Sequence, residues 1–153
     1  MTTATIAARS AAKTTTQIST FFVGDILLGL DISHVQEINR HLDVTAVPHS
    51  PSFVRGVINL RGEVVTVVDM RQVLGLAPVE ITKGSRNVVI HFGGELVGLM
   101  VDRIGDVLTI ADDEISPPPA HIRGIEHKCF RGVHALESGI VVILDVNQVL
   151  ADS

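Results

Sequence analysis

The chain has 153 residues, a formal net charge of −5 and a sequence pI near 5.7, so it lacks the basic surface that nucleic-acid binding requires. Hydrophobic residues make up 46% of the sequence and charged residues 19%, which is typical of a folded domain and not of a disordered chain. The single cysteine excludes an internal disulfide framework, and no apolar run approaches the ~18 residues of a membrane-spanning helix.

The chain begins with a segment rich in Thr, Ala and Ser, in which Arg9 and Lys13 are the basic residues. An acid-poor start of this kind is also found in organellar transit peptides, but two basic residues are few for one. We therefore expect residues 1–17 to be a disordered tail that precedes a folded domain at residues 18–151.

The apolar composition favours β-structure. The chain contains 22 Val and 15 Ile against 13 Leu, and β-branched residues fit a pleated sheet better than a helix. Three hairpins are predicted in chain order, at residues 21–30 with a Gly-Asp turn, at residues 57–68 with a turn at Arg-Gly-Glu, and at residues 88–101 with a Gly-Gly turn. A short helix is expected at residues 70–76, after Asp69.

The sequence is internally repeated. A shift of 69 positions aligns residues 28–30 with residues 97–99, and a shift of 76 positions aligns the Arg-Gly-Val of residues 55–57 with that of residues 131–133. The two pseudo-repeats span about residues 20–76 and 87–151. About five short strands in each half predict two small barrels with a groove between them, and the pattern leaves open whether the halves exchange strands.

No enzyme motif is found along the chain. The histidines lack the spacing of a zinc protease site, and the glycine pairs lack the lysine of a phosphate-binding loop. His121 and His127 flank Cys129, which leaves a hydrolase or metal-dependent enzyme as one alternative, although a buried inert thiol and surface histidines are the simpler interpretation.

The most unusual segment is residues 59–63, where an arginine stands at the predicted turn of the second hairpin. Arg61 would project a planar guanidinium with five donors outward from a rigid base. The alternative is an arginine that only pairs with its neighbour Glu63 or with Glu37. The spacing leaves both interpretations open.

At these residues the sequence resembles the CheW family, the chemotaxis coupling proteins that link receptors to the histidine kinase CheA. The resemblance is carried by Val35-Gln36-Glu37-Ile38 and by residues 51–62, 67–71, 97–102, 106–108 and 143–146, and it covers about residues 18–150. It implies a mainly β fold of two intertwined five-stranded β-barrel subdomains with short helices. It implies no catalysis, no cofactor and no metal.

The resemblance also implies two protein partners. The cytoplasmic tip of a chemoreceptor would bind along the groove between the subdomains, and the CheW-like regulatory domain of CheA would make an apolar, end-to-end contact between barrels. Family residues tied to receptor binding match here as Val35, Glu37, Arg55 and Arg61, and Gly56 and Gly62 match glycines that support that face.

A cytoplasmic protein is expected, held at membrane receptor arrays through its partners and not by direct insertion into the membrane. The alternative within the same class is a coupler that serves a non-flagellar pathway such as twitching motility. The longer Ala/Thr-rich tail and the loop at residues 117–128 depart from the family pattern.

Overall fold

The computed structural model describes residues 14–117, 121–122, 125–126 and 130–146. The strands are β1 (Thr15–Val23), β2 (Ile26–Asp31), β3 (Val35–Asn39), β4 (Val54–Leu60), β5 (Glu63–Asp69), β6 (Arg86–Phe92), β7 (Glu95–Val101), β8 (Arg103–Ala111), β9 (His121–Ile122), β10 (Ile125–Glu126), β11 (Phe130–Leu136) and β12 (Gly139–Leu144). A short helix α1 (Met70–Val73) follows β5, and 3-10 turns occupy Ile32–His34 and Asp112–Glu114.

Ten of these strands form two five-stranded sheets, and β9 pairs with β10 in a separate two-stranded sheet. Sheet A has the order β11-β12-β2-β1-β8, and sheet B has the order β4-β5-β7-β6-β3. Each sheet therefore combines a hairpin from one half of the sequence with three strands from the other half. Two parallel pairings, β2 with β12 and β5 with β7, join the halves. The prediction of a mainly β fold with two intertwined five-stranded subdomains is confirmed, and the question of strand exchange is answered.

The prediction of closed barrels needs correction, because neither sheet closes through a continuous ladder of hydrogen bonds. In sheet B the segment after β3 reaches β4 through an isolated bridge, with the N–H of Thr45 and that of Val57 each donating to the other's carbonyl at 2.9 Å. A bridge between Ser116 and Val133 occupies the equivalent place in sheet A. Both five-stranded sheets curl toward a barrel and are pinned at one point.

Among the residues that the structure describes, the hydrophobic core has three parts. The largest lies where the two sheets face each other and includes Phe21, Leu30, Met70, Leu99 and Phe130. A second cluster fills the curl of sheet B, and a third fills that of sheet A. Because side chains alternate between the two faces of a strand, the central strands contribute to the shared core and to the core of their own sheet.

Two local differences from the sequence-based expectation concern element ends. Strand β1 begins at Thr15, inside the segment expected to be a tail, and Thr15 pairs with Ala111 at the end of β8. The predicted helix at residues 70–76 is helical only at Met70–Val73. Most of the expected tail, residues 1–13, lies outside the described residues, as do the side chains of the loop at residues 118–129.

Candidate functional site

Arg61 occupies the tight turn between β4 and β5. Its φ is +51° and that of Gly62 is +90°, the left-handed pair that a two-residue hairpin turn requires. A non-glycine residue is uncommon in this region, and here the Asn59 side chain supports the turn by accepting a hydrogen bond from the Gly62 N–H at 2.9 Å. The glycine at position 62 is therefore a requirement of the turn that presents Arg61.

Arg61 pairs with Glu37 on β3, and so the structure selects Glu37 over Glu63 as the partner. Nη2 of Arg61 donates to Oε1 of Glu37, and Nδ2 of Asn39 donates to Oε2 of Glu37 at 2.9 Å. The hydrogen bond from Arg61 is the largest cause that lowers the pKa of Glu37 below its ordinary value, and the hydrogen bond from Asn39 also lowers it. The Arg61 side chain stays 68% exposed, against 24% for Glu37. An exposed guanidinium with further N–H groups is thus held in a fixed direction.

Val35 stands at the start of β3, two residues before Glu37. It is half-buried and packs against the core between the sheets, so its exposed part offers a partner only a fraction of the side chain. Strand β3 is an edge strand of sheet B, and Ile38 on it is 39% exposed. The structure therefore brings Arg61 of the β4–β5 turn into contact with Glu37 on the opposite edge strand β3, with Val35 two residues away on that strand.

Arg55 belongs to a different environment. It lies near the start of β4, so the strand places it about 20 Å from the Arg61 turn at ~3.3 Å per residue. Its Nη1 lies 3.4 Å from Oδ2 of Asp69. The neighbouring Gly56 has a φ of +150°, and a side chain there would collide with the backbone carbonyl of Thr45. Gly56 therefore supports the bridge that pins sheet B, not a turn.

A third ion pair, which the sequence did not lead us to expect, joins Arg71 and Asp102. The guanidinium donates from Nε and Nη2 to the two carboxylate oxygens at 3.1 and 2.7 Å, and the N–H of Gly24 donates to Oδ2 at 2.6 Å. Burial alone would raise the pKa of Asp102, but the hydrogen bonds from Arg71 and Gly24 outweigh it and the pKa is lowered. In the sequence, this pair was signalled only by an Asp directly after an apolar strand and by an Arg in the predicted short helix.

An apolar cleft of 330 Å³ lies at one end of sheet A, where the β1–β2 and β11–β12 turns meet. Its lining consists mainly of apolar residues, Phe22, Ile26, Leu27, Leu136, Ile140 and Val142, together with Asp25, Ser138 and Gly139. Ile140 is 49% exposed, and the guanidinium of Arg103 lies 3.6 Å from the centre of the Phe22 ring.

The equivalent end of sheet B differs in chemistry from this cleft. Glu95 stands there at the position equivalent to Ile26, and Glu63 at the position equivalent to Gly139. Of the two equivalent ends, the sheet A end is the apolar one.

The part of the chain that the structure describes holds no group of three or more His, Cys, Asp or Glu side chains suited to a metal ion. The residues of the alternative metal site, His121, His127 and Cys129, lie outside the described side chains. In the described ranges, no helix is both long and apolar enough to span a membrane.

Comparison with known proteins matches residues 17–153 to the family model of the CheW-like domain. Chemotaxis protein CheW of Rhizobium meliloti is 35% identical over 133 residues, covering 87% of this chain and 86% of the relative. A probable chemotaxis protein CheW of Rhizobium etli is 31% identical over 137 residues, covering 90% and 88%. Among solved structures, the scaffolding protein TtCheW of Thermoanaerobacter tengcongensis superposes with a TM-score of 0.82 at 29% identity, covering 89% of this chain and 88% of that one.

Proposed function

This chain belongs to the CheW-like domain family of chemotaxis scaffold proteins, and on that premise we propose that it couples chemoreceptors to the histidine kinase CheA. Proteins of this family are non-catalytic adaptors, so the hydrolase and metal-enzyme alternative does not fit. The relatives carry the names of chemotaxis proteins, which does not favour a non-flagellar pathway. The observation that carries the proposal is the family match over nearly the whole folded chain.

We place the receptor contact where the β4–β5 turn of sheet B meets strand β3, at Val35, Glu37 and Arg61. A helical receptor tip would bind this surface in the way that helices bind grooves, through apolar anchor residues, and charged residues would fix its register. Glu37 takes a hydrogen bond from only one terminal nitrogen of Arg61, so the exposed guanidinium retains N–H groups for a receptor carboxylate. The local ion pair and a receptor contact are therefore compatible, because Glu37 orients the same guanidinium that the receptor would bind.

We place the kinase contact at the apolar cleft of sheet A. The family resemblance implies an apolar contact between barrel ends, and this end gathers two hairpin turns around Ile26, Ile140 and Phe22. Exposed apolar side chains that surround a cleft are typical of protein-docking surfaces. The two proposed contacts lie on different sheets, so both partners can bind one molecule.

Each contact alone should be weak. Adaptor interfaces of this kind fall near the low end of the ~1,200–2,000 Å² range of standard interfaces. In an array many tethered contacts act at high effective concentration, which supplies the overall strength. The protein would then remain cytoplasmic and be held at the receptor array through its partners.

The test is a pair of surface variants that should separate the two contacts. Binding of a receptor-tip fragment and of the CheA regulatory domain is measured by calorimetry for wild type, Arg61→Glu and Ile140→Asp. We expect Arg61→Glu to weaken receptor binding by at least ~10-fold, because it removes an interfacial charge pair and replaces it with repulsion. Ile140→Asp should weaken kinase binding by a similar factor, since it places an unpaired charge in the cleft.

The untouched partner provides the control in each case, together with the melting temperature of each variant. Each variant should bind that other partner within about threefold of wild type, since well-separated sites act independently. If Arg61→Glu binds the receptor fragment normally, or if either variant loses both partners, the two-face assignment is wrong.

A further inference from the structure

A continuous chain of polar contacts runs from Arg55 on β4 to the β1–β2 turn of the other sheet. Arg55 Nη1 contacts Oδ2 of Asp69 at 3.4 Å, and Oδ1 of Asp69 accepts a hydrogen bond from the backbone N–H of Arg71 at 3.0 Å. The Arg71 side chain then holds Asp102 through two hydrogen bonds at 3.1 and 2.7 Å. Every step is a direct contact.

Asp102 is the single residue between β7 of sheet B and β8 of sheet A. Its carboxylate accepts the hydrogen bond of the Gly24 N–H at 2.6 Å, and its own N–H donates to the Phe22 carbonyl at 2.9 Å. Phe22 and Asp25, which flank Gly24 closely in sequence, line the apolar cleft at the end of sheet A. The far end of the network is therefore attached to the backbone of the cleft.

The Arg71–Asp102 contact holds both side chains in a fixed position, so a movement of one displaces the other. Its side chains are only 18% and 28% exposed, and two parallel hydrogen bonds between planar groups fix both distance and orientation. Arg71 Nη1 also donates to the carbonyl of Ala77 at 2.8 Å, which anchors the guanidinium from a third direction. By contrast, the surface pair of Arg131 and Asp31 is a single contact at 4.0 Å.

We propose that this network, Arg55–Asp69–Arg71–Asp102–Gly24, energetically couples the receptor-binding side of the molecule to the kinase-binding cleft. The inference rests on the proposed function, and it takes Arg55, which the family resemblance implies as a receptor-binding residue, as the receptor-side end of the network. A receptor carboxylate that draws Arg55 away from Asp69 alters the charge beside Arg71, and the Arg71–Asp102 pair passes the change to the β1–β2 turn. Arg71 and Asp102 act as positioning residues that touch neither partner.

The test measures coupling between the two partners and not affinity alone. The affinity of the CheA regulatory domain is determined with and without a saturating receptor-tip fragment. We expect the wild-type affinity to change by about fivefold or more, and the receptor affinity to change by the same factor when the kinase domain is added, since coupling is reciprocal.

Two variants interrupt the network. Asp102→Asn removes the charge that Arg71 and Gly24 share, and Arg71→Lys keeps the charge but loses the two-point contact. In both variants we expect each partner alone to bind within about threefold of wild type, and the coupling factor to fall close to one. The matched control is Arg131→Gln, which breaks an ion pair outside the network and should keep the wild-type coupling.

The outcomes are distinguishable from those of the proposed function. If both network variants fold and keep the wild-type coupling factor, the proposal is overturned. A wild-type protein that binds both partners without coupling also overturns it, while the adaptor function stands. A wild-type protein that binds neither partner removes the adaptor function and this proposal with it. If Asp102→Asn does not fold, Arg71→Lys decides the matter.

Discussion

At the scale of single residues, the Arg61–Glu37 and Arg71–Asp102 pairs show how exposure decides what an ion pair does. The Arg61–Glu37 pair is exposed on the arginine side, so water screens it and its contribution to folding is small. Its effect is to aim a guanidinium outward. The Arg71–Asp102 pair is largely shielded, so its effect is to hold two sheets and a turn in a fixed relation.

The Asp102 carboxylate should make stability depend on pH. Its pKa is lower in the folded protein than in the unfolded chain, so its contribution is complete above the ordinary Asp pKa and is lost as pH falls through the folded value. At neutral pH we expect Asp102→Asn to cost about 1–3 kcal/mol of unfolding free energy. Compared with neutral pH, urea unfolding below about pH 4 should show that gap narrowing, because protonation of Asp102 then favours the unfolded chain of the wild type. A gap that stays constant would contradict this role.

At the scale of elements, α1 depends on Asp69, the residue that directly precedes it. The Asp69 side chain caps the helix through the N–H of Arg71 at 3.0 Å, as expected from its position after a buried strand. We expect Asp69→Ala to cost about 1–2 kcal/mol, because both this cap and the contact with Arg55 are lost. Chemical denaturation measures the change.

The second repeat offers a comparison for that cap. Asp145 stands at the equivalent place after β12, and most of the segment that follows it lies outside the described residues. An Asp145→Ala variant is predicted to lose a similar amount of stability. Unchanged stability in Asp69→Ala would remove the capping role in the first repeat.

Hairpins were predictable from sequence because their signals are local. The three predicted hairpins correspond to β1–β2, β4–β5 and β6–β7, since glycine-containing turns between β-branched runs determine their own register. The parallel pairing of Leu28 with Val142 joins residues more than a hundred positions apart, and no periodicity reports it. Strand exchange therefore had to come from the structure.

The candidate site was predictable in part for a similar reason. The turn that carries Arg61 is local, but its partner on β3 depends on how sheet B curls, which left Glu37 and Glu63 as alternatives. The role of Arg71 and Asp102 depends on where β7 crosses to the other sheet. Contacts across that crossing have no short-range signature in the sequence.

At the scale of the whole molecule, the two repeats are equivalent in topology but not in their cores. Ile18 in sheet A packs over Gly29, whereas its equivalent Asn87 in sheet B lies over Gly98. Asn87 is fully buried, and its amide has no hydrogen-bond partner among the described residues. A buried unpaired amide costs about 1–3 kcal/mol.

Substitutions that exchange the polar and the apolar residue type at these two equivalent positions test this difference. We expect Asn87→Val to raise the unfolding free energy by about 1 kcal/mol, because it removes the unpaired amide without enlarging the side chain much. The reverse change, Ile18→Asn, should lower it by about 2–4 kcal/mol. Urea unfolding of both variants measures the pair. A loss of stability in Asn87→Val would show that the amide is satisfied and contradict the assignment.

The central claim, that this chain is an adaptor between receptor and kinase, is tested most directly by reconstitution. Autophosphorylation of CheA is measured with membrane-embedded chemoreceptor, in the presence and absence of this protein. The account predicts that the receptor controls the kinase only when the chain is added, and that Arg61→Glu and Ile140→Asp each abolish that control. Receptor control of the kinase without the chain, or no control with it, would contradict the account.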